Sequence, residues 1–241
     1  MGAEKQVFDF LISDRWKRTY PHAAMGVLAL SHIENKAQDA VLDAVKKALE
    51  DELRQRFGSR EAIKADAVLQ AYAAYYKRFK KNYHVFFQIE SVAVKGQPIP
   101  RVNALVEAMF MAELKHGLLT AGHDLDTLAG EVVLDAASGD EEYTTISGET
   151  KTLKAGDMFV RDGMGVLSSI IYGPDKRTRI SRQTQCAFFS IYAPDGIGQA
   201  AILAHMQDIE GYIRLFSPGA VLERMDVVSA ANPQGSLGQV R

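Results

Sequence analysis

The chain has 241 residues, 47% of them hydrophobic, which is ample for a buried core in one large domain or two small ones. Its 28 Lys and Arg against 30 Asp and Glu leave a formal charge of −2. That balance excludes a protein that coats nucleic acid indiscriminately, because such affinity comes from neutralising many phosphates with basic side chains. The single cysteine, Cys186 in the apolar run CAFFSIY, excludes a disulfide framework and is expected to be a small buried residue. Neither a secretory core nor an apolar stretch long enough to cross a bilayer is visible, so no membrane contact is expected and a cytoplasmic protein is.

In chain order, AAMGVLALSHI (23–33) is short, apolar and preceded by Tyr20-Pro21, which predicts a buried strand. After Asn35 the pattern changes: Val41, Val45, Ala48, Leu49 and Leu53 recur at helical spacing, with Gly58 as a stop. A second helix is expected from near Ser59 through Ile63, Ala67, Gln70 and Ala74 into AYYKRFKKNY (74–83). HVFFQIESVAV (84–94) fits a buried strand or a helix, and the helix, with Val85, Ile89 and Val92 on one face, is the expectation. KGQPIP (95–100) breaks the pattern before VNALVEAMFMAEL (102–114), a run of strong helix formers. HGLLTAGHDLD (116–126) then reads as a turn rich in His and acid. From Gly130 the period becomes two, through EVVLDAA, EYTTIS, DMFVRD, GVLSSIIY and CAFFSIYA. Helical spacing returns in GQAAILAHMQDIEGYIRLF (198–216), ahead of a polar tail. These elements predict an α+β protein, with a helix-rich N-terminal half packed on a strand-rich C-terminal half.

The ionisable residues concentrate around one stretch. His123 with Asp124 could hold a water between them, the carboxylate fixing the imidazole tautomer for general-base attack on an ester. The alternative for the acids is an Asx turn, preferred for Asp126. Glu113 and His116, three apart at a helix end, are pocket candidates, although a surface pair stabilised by the helix dipole is the commoner arrangement. Asn103 and Glu107 share a helix face and suit binding of a substrate amine, against a helix cap and a solvated carboxylate. Arg78, Lys80 and Lys81 interleave with aromatics in a composition suited to phosphate contact and base stacking, or to a solvated helix end with its rings packed inward. Arg177 and Arg179 would share one face of a strand and could grip phosphates, or form structural salt bridges. No set of ligands has convincing metal spacing, so neither metal nor cofactor is expected.

VNALVEA (102–108), HDLDTLAGEVVL (123–134), DGMGV (162–166) and TRISRQT (178–184) together resemble the B3/B4 tRNA-editing domain of the phenylalanyl-tRNA synthetase beta subunit, in its freestanding form. The resemblance covers roughly the last two-thirds of the chain, with a weaker echo in YPHAAMGVLAL (20–30). It implies a single editing domain over residues 1–220, followed by a tail over 221–241. The implied activity is hydrolysis, in trans, of the ester of a mischarged tRNA, whose acceptor end would be the partner; DNA would not. His123 and Asp124 would be catalytic, Glu113 and His116 would shape the pocket, and Asn103 would support the fold. The chain departs from the family pattern in two places. Counting back from Asp124 puts Ala121 where the synthetase domain has a histidine, and SSIIYGPDK (168–176) replaces an aromatic- and arginine-rich run. A different amino acid is therefore implied, with canavanyl-tRNA(Arg) as the specific expectation. Two other functions stay open: a non-catalytic module of the same fold that binds tRNA or a synthetase, and a small-molecule hydrolase.

Overall fold

The computed structural model describes residues 8–237. Strand β1 (Phe10–Ile12) and helix α1 (Asp14–Thr19) precede β2 (Ala24–Ser31). Five helices follow: α2 (Ala40–Arg56), α3 (Arg60–Ala65), α4 (Ala67–Arg78), α5 (His84–Ala93) and α6 (Ala104–His116). The chain then runs through β3 (Thr120–Asp124), β4 (Val132–Ala136), β5 (Glu142–Thr144), β6 (Thr150–Thr152), β7 (Met158–Asp162), β8 (Gly165–Ser169), β9 (Gly173–Pro174) and β10 (Ala187–Ala193). It closes with α7 (Gln199–Phe216), β11 (Val221–Ser229) and β12 (Ser236–Leu237). The expected α+β arrangement is present: helices occupy most of the first half and strands most of the second.

The strands form two five-stranded sheets, ordered β1-β4-β7-β8-β9 and β12-β11-β2-β10-β3, with β5 and β6 as a separate hairpin. β2 is the apolar strand the sequence predicts, and it sits at the centre of the second sheet between β10 and β11, both antiparallel to it. Helix α7 packs on β2 and β11, and α6 packs on α7 and β3. One apolar core runs through all of these elements, and a smaller cluster around Tyr143 and Phe159 lies under the β5–β6 hairpin.

Helix boundaries follow local chemistry. Asp39 caps α2 by accepting from the Val41 and Leu42 amides, and Leu42, Leu49 and Leu53 bury its apolar face. The single helix expected from Ser59 is two helices, because Asp66 ends α3 and its carboxylate accepts from the Val68 and Leu69 amides to start α4. Residues 84–93 form the expected helix, α5. Helix α6 is closed by Gly117 in a left-handed conformation, φ +69°.

Three expectations are corrected. The stretch expected as a turn at 116–126 holds strand β3 at its centre, between the end of α6 and a 3-10 turn at Leu125–Thr127. The tail expected over 221–241 begins instead with β11, hydrogen-bonded to β2 from Val221 to Ser229; residues 238–241 lie outside the described residues. Its charged residues hide the strand pattern, since Arg224 and Asp226 are both buried and pair with each other at 2.7 Å. Cys186 is half-buried just ahead of β10 rather than inside it. Among the described residues no helix is long and apolar enough to cross a membrane.

Candidate functional site

A cavity of about 210 Å³ opens where the outer edge of β3 meets α6 on one side and the β8–β9 hairpin on the other. Val106, Met109 and Glu113 of α6 form one wall, and Ser169, Gly173 and Pro174 form the opposite one. Leu119 to Gly122 supply the floor along β3, while Ile180 and Tyr192 close the sides. His84 and Ile146 line it as exposed residues and so mark its opening. The lining is mainly apolar, and its volume is below the roughly 300–1,000 Å³ usual for sites that enclose a drug-sized ligand. It suits one amino-acid-sized group, with anything attached to that group left at the opening.

The register of β3 decides which backbone groups border this space. Leu119 O accepts from Tyr192 N and Leu125 N donates to Cys186 O, so the odd-numbered residues of β3 turn their amides toward β10. The even-numbered ones face outward. Thr120 N donates to Glu113 Oε1 at 3.2 Å, Asp124 N donates to Thr178 O at 2.7 Å, and the Gly122 N–H lies between them on the edge bordering the cavity. A side chain at Gly122 would collide: a Cβ there would stand 2.7 Å from Ile180 Cδ1 and 3.0 Å from Met109 Sδ.

Glu113 is the main ionisable group of the interior wall. Burial pushes its carboxyl up to about 8, only partly offset by the Thr120 amide, so it is mostly protonated at neutral pH and can both donate and accept. Behind Thr120 stands His205 of α7, fully buried, with Nε2 2.7 Å from Thr120 Oγ1. Burial, reinforced by nearby His116, lowers its imidazole to about 3 and keeps it neutral.

His123 is also fully buried, and it does not line the cavity. Because side chains alternate across a strand, His123 and Asp124 point to opposite faces of β3, and the expected shared water is corrected. The His123 ring stacks on Phe188 and sits in a directed chain of hydrogen bonds. Thr178 Oγ1 donates its one proton to Asp175, so it can only accept from His123 Nδ1, 2.8 Å away. His123 Nε2 then accepts from Ser168 Oγ at 3.3 Å, and Ser168 Oγ lies 2.8 Å from the hydroxyl of Tyr192, whose ring lines the cavity. Burial, with Arg177 adding to it, lowers the His123 imidazole to about 3. His123 thus orients the cavity wall, while Asp124 accepts from Thr184 Oγ1 at 2.6 Å and from the Asp126 amide. The Asx turn expected for Asp126 belongs to Asp124.

The other expected residues divide. Asn103 is a helix cap, accepting from Val106 N and from Asn35 Nδ2. Glu107 is corrected as a substrate ligand, because it is buried in an ion pair with Lys46 and accepts from Val102 N at 2.7 Å. His116 lies outside the cavity, its Nε2 2.5 Å from Asp208, with Lys115 on the same carboxylate. Arg78, Lys80 and Lys81 are exposed, but the rings that interleave with them, Tyr75, Tyr76, Phe79 and Tyr83, pack inward and are not offered for base stacking. The Arg78 guanidinium lies over Tyr20, Tyr75 and Phe79, and Lys81 lies 6.0 Å from the centre of Tyr172, beside the cavity residue Gly173. Arg177 stands in a turn and Arg179 in an isolated antiparallel bridge to His123, not together on one strand. Arg177 is tied to Asp162 at 2.8 Å and to the Thr127 carbonyl at 2.9 Å, whereas Arg179 is exposed.

Thr120, Gly122 and His205 are site residues that sequence reasoning missed. Thr120 and Gly122 stand two apart in LLTAGHD, a strand signal hidden by its small residues. His205 carried none, being one apolar-face position of a regular helix.

The fold and this cavity define an α+β domain with a small, mainly apolar hollow at a sheet edge. The B3/4 domain family matches residues 68–208, more than half of the chain, and the chain belongs to that family. Among solved structures, it is similar to an N-terminal fragment of the phenylalanyl-tRNA synthetase beta subunit from Pyrococcus horikoshii, with a TM-score of 0.52 and 11% identity. That match covers 92% of this chain and 52% of the other, so the likeness is one of fold and spans about half of the fragment. No curated protein matches the chain.

Proposed function

We propose that the protein is an aminoacyl-tRNA deacylase acting in trans, which takes the amino acid of a mischarged tRNA into this cavity and lets water cleave the ester. The observation that carries this reading is the amino-acid-sized hollow bordered by the Gly122 amide, with a protonated acid in its wall. An aminoacyl ester is already activated, so positioning a water and stabilising the developing oxyanion supply what is needed. The Gly122 N–H serves the oxyanion, and a free ribose hydroxyl of the terminal adenosine organises the water. A substrate hydroxyl suits a site with Ala121 in the cavity, His123 and His205 buried and neutral behind it, and His84 at the opening. The acceptor strand runs past Lys81, Lys80, Arg78 and Arg179, which are exposed.

Glu113 recognises the amino-acid side chain as a neutral acid. Such a partner does not compensate a permanent charge, so it penalises arginine's guanidinium and admits the much less basic oxyguanidine of canavanine. Canavanyl-tRNA(Arg) is the proposed substrate. The test is release of canavanine, arginine and tyrosine from charged tRNA by wild type, Glu113→Gln and Glu113→Leu. Gln mimics the protonated acid, so Glu113→Gln keeps canavanine release within a few-fold at pH 7, while Glu113→Leu loses it. Wild-type release falls as pH rises through about 8 and Glu113 ionises, and this fall is absent in Glu113→Gln. Equal release of arginine and canavanine would sink the substrate assignment. A second reading, a tRNA- or synthetase-binding module without catalysis, is favoured by the burial of His123 and His205, which leaves His84 at the opening as the imidazole lining the cavity among the described residues; it predicts that the protein protects the ester.

A further inference from the structure

Thr120 and His205 form a buried polar pair in which proton direction can be worked out. The neutral imidazole of His205 carries one N–H. No hydrogen bond is completed at its Nδ1, its Nε2 lies 2.7 Å from Thr120 Oγ1, and the backbone of Ala112 in α6 favours a proton on the ring. A backbone group favours a proton on the ring through its carbonyl oxygen, and because Nε2 is engaged by Thr120 Oγ1, that carbonyl acts on Nδ1. The proton therefore sits on Nδ1. Nε2 is an acceptor, and the Thr120 hydroxyl donates its only proton to it. What remains of Thr120 Oγ1 is lone pairs, on a residue that lines the cavity.

We infer that His205 is a positioning residue that locks the Thr120 hydroxyl as an acceptor, so that the cavity holds the α-amino group of an aminoacyl ester through an N–H donated to Thr120 Oγ1. This rests on the deacylase reading above and deepens it. Thr120 and Gly122 are two residues apart along one strand, which places an amine acceptor and a carbonyl donor at neighbouring points of the same edge. A substrate lacking the α-amino group leaves the Thr120 lone pairs buried and unpaired, and it is discriminated against for that reason.

The experiment compares binding of two non-hydrolysable compounds by calorimetry: the 3′-amide of 3′-amino-3′-deoxyadenosine with canavanine, and the same amide lacking the α-amino group. Wild type and Thr120→Ser are expected to prefer the first by roughly tenfold or more, the worth of one hydrogen bond to a charged group. Thr120→Val and His205→Leu are expected to lose that preference, with the double variant no worse than either single one. Nitrogen-15 spectra of the His205 ring are expected to show a neutral, Nδ1-protonated imidazole, a readout that a merely structural role would not require. Thr120→Val is nearly isosteric and keeps the inference testable if His205→Leu fails to fold. Equal binding of the two compounds by wild type, preference surviving in Thr120→Val, or an Nε2–H tautomer would each overturn the inference while leaving the deacylase reading standing. A wild-type protein that binds neither compound overturns both.

Discussion

At Gly122 a hydrogen atom stands where any side chain would meet Ile180 and Met109, and both of those residues also line the cavity. The contacts at 2.7 and 3.0 Å fall on the far ends of flexible side chains, so an added methyl is accommodated by pushing them inward. Gly122→Ala should therefore cost about 1–3 kcal/mol of stability, as overpacking does, and close part of the hollow. Its expected signature is a loss of kcat/KM for deacylation larger than that of an equally destabilising substitution elsewhere in the core. Unchanged turnover in a variant of lowered stability would separate this glycine from function. The residue scale is also where the sequence was least legible. The cluster of His and acid around 113–126 marked the right neighbourhood, yet of the pocket candidates only Glu113 lines the cavity. Glu107 and His116 found partners in Lys46 and Asp208, from helices that lie far away in the chain. Spacing along a helix gives the direction of a side chain, and the partner that claims it comes from packing.

At the scale of elements, periodicity identified most helices and the strands from β4 onward, and it failed where polar chemistry interrupts an element. Asp66 splits one apparent helix by capping a new one, and buried Arg224 and Asp226 break the alternation of β11. The second case has a consequence for stability. β11 covers the edge of β2 along the full length of that strand and buries Met225, Val227 and Val228. A chain ending at Ala220 would leave β2 as an exposed apolar edge strand, and such edges drive aggregation. The truncated protein is expected to be insoluble or to lack cooperative unfolding. A soluble 1–220 fragment with native near-ultraviolet dichroism would show that β11 is dispensable.

For the whole molecule, four buried groups with large shifts contribute to how stability responds to pH. His123 and His205 are lowered from 6.5 to about 3 in the folded protein, so the unfolded chain binds protons more readily and the stability they contribute is lost as pH falls below 6.5. Glu113 is raised from 4.5 to about 8 and Asp157 from 3.8 to about 7, each by burial, so here the folded protein holds the proton and stability is lost as pH rises through those ranges. Between about 4.5 and 6.5 two groups gain what two lose. Their combined contribution is therefore level there and declines on either side, with Glu113 giving a slope of about 1 kcal/mol per pH unit between 7 and 8. Glu113→Gln removes that last slope because an amide cannot ionise. Denaturant unfolding at pH 5, 6, 7 and 8 measures the effect, and parallel curves for wild type and Glu113→Gln across pH 7 to 8 would mean that Glu113 is already ionised in the folded protein by pH 7. The neutral acid on which side-chain recognition depends would then be absent, so a stability measurement made without any tRNA bears directly on the proposed selectivity.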